Sequence, residues 1–162
     1  MKKLLGSLAL AGVLAVSGMA YAWDPDFSPE DMNEECWAAY RTGDAETLIK
    51  CYKEAIKIYE KHGDYEDVYS AKNSIGNLYT KLKDYKNAEK YYLEALEGAK
   101  KIGNKNIEAG AYMGLGEIYE KKGDKKKAKE YYTNAYNDYK AVGDKFGAEV
   151  ALRAIKQLDK SK

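Results

Sequence analysis

The 162-residue sequence is short of the residues that break or staple a chain, with 2 Pro, 2 Cys, 1 His and 2 Phe. Two cysteines are too few for a disulfide-built miniprotein or a Cys-only zinc site. One histidine cannot form a His-pair metal motif, and no Cys-x-x-Cys-His segment offers a haem attachment. There is no G-x-G-x-x-G after a strand pattern and no Walker-type loop. No cofactor or metal is therefore expected, and an enzymatic reading has no positive support. Neither sign of charge dominates: 27 Lys plus Arg face 26 Asp plus Glu, which argues against a polybasic nucleic-acid or membrane-coating protein. A mean hydropathy of −0.67 excludes a multi-span membrane protein. Tyrosine is abundant instead, at 16 residues, and 45% hydrophobic with 33% charged residues fits a folded, well-solvated chain.

The one long apolar run lies at the start. Lys2 and Lys3 precede the stretch from Leu4 to Val16, and Ser17-Gly18-Met19-Ala20-Tyr21-Ala22 ends in a small-x-small pattern. Residues 1–22 thus have the layout of a secretory signal peptide cleaved after Ala22, with 23–28 as a short lead. The apolar stretch is short for a bilayer, which needs about 20 residues, and Gly6 and Gly12 interrupt it. Export implies a periplasmic or secreted location, no stable membrane anchor after cleavage, and an oxidising compartment.

Sliding the sequence on itself gives a period of 40 residues. Tyr79, Asp84, Ala88, Tyr91, Tyr92, Ala95 and Gly103 recur as Tyr119, Asp124, Ala128, Tyr131, Tyr132, Ala135 and Gly143. Asp44, Leu48, Tyr52, Ala55 and Gly63 form a more divergent earlier copy. Each unit reads as two helices: Ile75, Leu78, Tyr79 and Leu82, then Ala88, Tyr92, Ala95, Leu96 and Ala99 fall at helical spacing. Gly63, Gly103 and Gly143 stand where a left-handed helix cap is expected. Ser28-Pro29-Glu30-Asp31 predicts the opening of the first helix, with an N-cap Ser and Pro at the first helical position. His62, in Lys61-His62-Gly63, falls at a predicted helix end, where a cation complements the helix dipole.

These residues resemble the tetratricopeptide repeat signature: Leu115-Gly116-x-x-Tyr119 with Ala128, Tyr132 and Ala135, and Ile75-Gly76-x-x-Tyr79 with Ala88, Tyr92 and Ala95. The resemblance implies an all-α, right-handed superhelix of three helical hairpins (units 29–64, 65–104 and 105–144) and a capping helix over 145–160. Gly76 and Gly116 would let the second helix come close, and the Tyr rings would seal adjoining layers. Spacing inside the signature is that of the family's 34-residue form, so the extra six residues lie after Ala95, as about one added turn between units. The longer period resembles the variant found in regulatory scaffold proteins.

Cys36 and Cys51 are equidistant from the hairpin turn at 43–44, which sets both about 11 Å up their helices at 1.5 Å per residue. In an exported chain this favours a structural disulfide over two free thiols. Cys36 also takes the family's close-approach position. The family binds ligands on first-helix residues facing the concave side. Position by position these are Asn33, Trp37 and Tyr40, then Asn73, Asn77 and Thr80, then Met113, Glu117 and Glu120, and Arg153 and Gln157 from the cap. The family's Lys–Asn clamp for a terminal carboxylate is absent, since Asn33 and Trp37 stand at its first two places.

Charge is uneven along the chain. Residues 23–48 carry 8 acids and 1 base, whereas 121–162 carry 12 bases and 6 acids. The expected function is non-enzymatic binding of a protein or peptide partner as a periplasmic scaffold or assembly factor, with no nucleic-acid partner. Self-association head to tail, through an acidic front and a basic rear, is the alternative.

Overall fold

A computed structural model of the chain describes residues 33–160. The expected signal peptide, the lead, and the Ser28-Pro29 helix start lie outside the described residues. Within them are seven helices and no strand: α1 (Glu34–Thr42), α2 (Ala45–His62), α3 (Tyr65–Lys81), α4 (Tyr85–Ile102), α5 (Lys105–Lys121), α6 (Lys125–Val142) and α7 (Lys145–Lys160). Each packs on the next, and α3 also touches α5, so the chain forms an all-α repeat superhelix.

The loops show why the helices stop where they do. In five of the six reversals a glycine takes positive φ, between 72° and 81°, and in the sixth Lys83 adopts φ 60°. Asp44, Asp84, Asn104 and Asp124 then accept backbone N–H groups of the following first turn, satisfying donors that a helix start leaves open. His62 ends α2 and is exposed.

Asn33 is the N-cap: its backbone is extended and its side chain accepts the Cys36 N–H at 2.9 Å. The helix carrying Cys36 therefore starts at Glu34, with Glu34 and Glu35 on the positive dipole end, and spans 9 residues against 16 to 18 for the others. Only Cys36 and Ala39 of α1 are buried. Cys36 is bonded to Cys51 of α2, Cα to Cα 6.0 Å.

Three buried clusters follow one another along the array. Ile49, Ile56, Val68, Ala71 and Ile75 join α2 to α3; Ala88, Tyr92, Ala95, Leu96, Ala111, Leu115 and Ile118 join α4 to α5; Ala128, Tyr132 and Leu158 join α6 to α7. A Cβ on Gly76 would stand 2.7 Å from the Tyr92 ring, and one on Gly116 2.5 Å from the Tyr132 ring. The glycines thus make room for a tyrosine ring rather than for a backbone. Tyr92 is also pressed on Gly114 of α5, where a Cβ would stand 2.2 Å from the ring. One tyrosine of α4 is wedged between the first helices of two consecutive units.

The 40-residue period carries this wedge along the chain with changes of residue. Gly76, Tyr92 and Gly114 become Gly116, Tyr132 and Ala154 one unit later, and Cys36, Tyr52 and Ser74 one unit earlier. Where the small residue is Cys36, the disulfide takes over the joint.

Candidate binding groove

The wedge tyrosines carry their hydroxyls to the predicted groove. Tyr92, 1% exposed, donates to Asn77 Oδ1 at 2.6 Å. Tyr132, 4% exposed, donates to Glu120 Oε2 at 2.8 Å. Burial pushes both phenols above their ordinary value; for Tyr132 the hydrogen bond to Glu120 and the charges of Glu120 and Glu117 add to it. Both groups therefore remain protonated donors at any physiological pH. The negative charge of Glu117 raises both phenols.

Four of the predicted residues are brought together on the neighbouring helices α3 and α5. Asn77, Glu117 and Glu120 are exposed, and Thr80 is half-buried with its hydroxyl donating to Gly76 O at 3.0 Å. Asn77 Oδ1 accepts from Tyr92, and its amide N–H groups are donors on this exposed face. Glu117 and Glu120 sit one turn apart on α5 and supply acceptors and negative charge. The centre of the surface thus offers donors beside acceptors, the pairing that an extended peptide backbone requires.

The other predicted residues have their own contacts. Asn33 caps α1. Asn73 donates from Nδ2 to Ile107 O of α5 at 3.0 Å, tying the two units together, while its Oδ1 is buried without a hydrogen bond. Met113 packs against the Ala128–Tyr132–Leu158 cluster. Trp37 is half-buried and meets Tyr40, itself 50% exposed, edge-on with ring centroids 6.0 Å apart. Arg153 is exposed and pairs with Glu149 at 3.4 Å, and Gln157 is exposed on the same helix. Tyr92 and Tyr132 were read from sequence as packing residues only. Their signal was the small residue 22 positions further on, Gly114 and Ala154, which opens a path for the ring to the opposite face.

The lysine run of α6 is largely a solvated face. Lys125 and Lys126 are exposed; Lys127 sits over the Tyr119 ring, 4.5 Å from its centroid; Lys129 pairs with Asp159 at 2.6 Å. Behind it, Glu89 accepts from both Tyr119 and Lys122. Burial pushes the Glu89 carboxyl up, but those two bonds and the nearby lysines hold it below the usual carboxylate range. Among the described residues no group of three or more His, Cys, Asp or Glu could hold a metal ion, and no helix is long and apolar enough to cross a membrane.

Residues 67–141 match the tetratricopeptide repeat family. Among solved structures the chain is similar to the crystal structure of BtubC (BKLC) from P. vanneervenii, with a TM-score of 0.51 and 24% identity over 76% of this chain. It spans 60% of the length of that protein, and at this identity the likeness concerns the fold. Comparison with curated proteins gives no match.

Proposed function

From the premise that this chain is a tetratricopeptide repeat protein, a fold that serves as a scaffold for protein partners, we propose that it is exported and binds an extended peptide segment of a periplasmic partner in its concave groove. The observation that carries the reading is the cluster of Asn77, Thr80, Glu117 and Glu120 beside the hydroxyls of Tyr92 and Tyr132. Asn77 donates to a peptide carbonyl. Glu117 and Glu120 accept peptide N–H groups or pair with a basic side chain of the ligand. Trp37 and Tyr40 form an aromatic pair on the preceding unit and supply an apolar anchor, the role in which Trp is enriched at interfaces. Export rests on the layout of residues 1–22 and accords with the Cys36–Cys51 disulfide. The scaffold role requires no catalytic group.

The test begins with recovery of bound species from periplasmic extract, followed by calorimetric titration of the identified segment. Trp37→Ala should weaken binding by about 2 kcal/mol or more, and Asn77→Ala by about 1–3 kcal/mol through an unpaired peptide group. Lys126→Ala, on the exposed face of α6, should leave affinity unchanged. Unaltered affinity in both groove variants would remove the groove from consideration. Intact mass of the exported protein should correspond to a chain beginning at Trp23, and retention of residues 1–22 would refute cleavage.

A further inference from the structure

The three loops that join one helical pair to the next lie along one edge of the array, and exposed apolar side chains gather there. Of the large hydrophobics exposed among the described residues, Tyr65 opens α3, Ile102 and Val142 end α4 and α6, and Phe146 stands in the first turn of α7. Tyr65, Ile102 and Val142 line a single cleft of about 920 Å³. Phe146 follows Val142 across the Gly143 reversal and is 72% exposed, the most of any large hydrophobic in the described chain. Single exposed apolar residues are ordinary, but a row of four spanning three units marks an interaction surface.

The edge is also charged unequally along its length. Asp64, Glu66 and Asp67 line the cleft at the first loop and outnumber Lys61 and His62 at the end of α2; Glu66 accepts from Asn104 Nδ2 at 2.7 Å, and the Asp64 side chain makes no bond to the helix start it precedes. At the third loop stand Lys140 and Lys145, both exposed. The acids near them are engaged: Asp144 accepts the Gly147 N–H, and Glu149 pairs with Arg153.

We propose that this edge is the interface of a two-fold dimer, its occupant being a second copy of the chain laid antiparallel along it. An isologous contact joins a patch to itself, so the two ends of the edge exchange partners about the axis. Ile102 lies near the axis. Tyr65 of each copy meets Phe146 of the other, and Asp64 of each faces Lys145 of the other. Like charges would be opposed in a parallel arrangement, which the unequal ends disfavour. The inference does not rest on the groove reading. Since the groove side chains lie on α3 and α5 away from these loops, the dimer presents two grooves, and a partner with two binding segments gains avidity.

Sedimentation of the purified chain over a concentration series tests the arrangement. The expected mass saturates at two copies. Phe146→Glu should raise the dissociation constant at least about tenfold, as loss of an interface aromatic does. Lys145→Glu and Asp64→Lys should each weaken the dimer, whereas an equimolar mixture of these two single variants should associate again, because both ends of the mixed dimer then face opposite charges. Lys125→Glu, on the other edge, should have no effect. All these side chains are exposed, so thermal unfolding of each variant should match the parent at concentrations where the parent is monomeric. A monomer throughout the series, a mass that grows without limit, or failure of the mixture to recover would overturn the proposal.

Discussion

The ring of Tyr92 fills the space in which Gly114 would carry a side chain, with a Cβ there standing 2.2 Å from the ring. Tyr92 is on α4 and Gly114 on α5, so this contact joins one unit to the next. Gly114→Ala must displace a ring already held by Gly76 on its other side, where the same addition would stand at 2.7 Å. It should destabilise the chain by about 1–3 kcal/mol, the usual cost of overpacking. Tyr92→Phe, which removes only the bond to Asn77, should cost about 0.5–1.5 kcal/mol. Chemical denaturation of the two variants checks the order, and a silent Gly114→Ala would mean that the wedge is not tight.

Lys83 occupies the left-handed position that glycine holds in the other five reversals. A non-glycine residue there carries a penalty of about 1–2 kcal/mol, part of which glycine gives back through its more flexible unfolded chain. Lys83→Gly should therefore stabilise by about 0.5–1 kcal/mol. Gly123→Ala, the opposite change at the equivalent loop with φ 81°, should destabilise by a similar amount. Melting temperatures of both variants should move in opposite directions.

Lys105 bridges two buried carboxylates, Glu108 at 2.9 Å and Asp138 of α6 at 3.2 Å, while itself half exposed. Lys105→Met would leave both acids without that cation. Breaking a fully buried pair costs about 3–5 kcal/mol; allowing for the exposure of the ammonium, about 1–3 kcal/mol is expected. The hydrogen bonds to Glu108 and then Asp138 raise the Lys105 pKa above the ordinary lysine value. With the folded value above the unfolded one, its contribution is complete below the ordinary lysine pKa and is lost as pH rises through the folded value. The stability gap between parent and Lys105→Met should thus be constant from pH 7 to about 9 and close only in stronger alkali, as urea titrations at stepped pH will show.

The Cys36–Cys51 bond closes a loop of 15 residues and is the main tie on a helix that buries only Cys36 and Ala39. In the chain-entropy account such a loop contributes up to about 3 kcal/mol. Paired Cys36→Ser and Cys51→Ser should lose hydrogen-exchange protection in α1 while α3 to α6 retain theirs. In the oxidised parent, alkylation without reductant should label no thiol; two labelled thiols on the folded exported protein would refute the bond.

The period, the helices and the cysteine pair were legible because each follows from local chemistry. Glycine and aspartate at 40-residue intervals fix the reversals, apolar spacing fixes the buried faces, and two cysteines equidistant from a turn meet across it. Asn77, Glu117 and Glu120 are exposed for the same reason, since a repeat position keeps its face. Other features depended on which neighbour occupies the space. Asn33 has the position of a groove residue and also caps α1, its Oδ1 accepting the Cys36 N–H. Asn73 had another, but Ile107 O lies within its reach. Tyr92 and Tyr132 reach Asn77 and Glu120 because their rings pack on Gly76 and Gly116. The sequence by itself determined the repeat, its helices and their spacing, because backbone preferences and apolar periodicity act over a few residues. Only the tertiary structure decided which polar groups are spent holding units together, because that depends on contacts between residues from 15 to 38 positions apart in the chain.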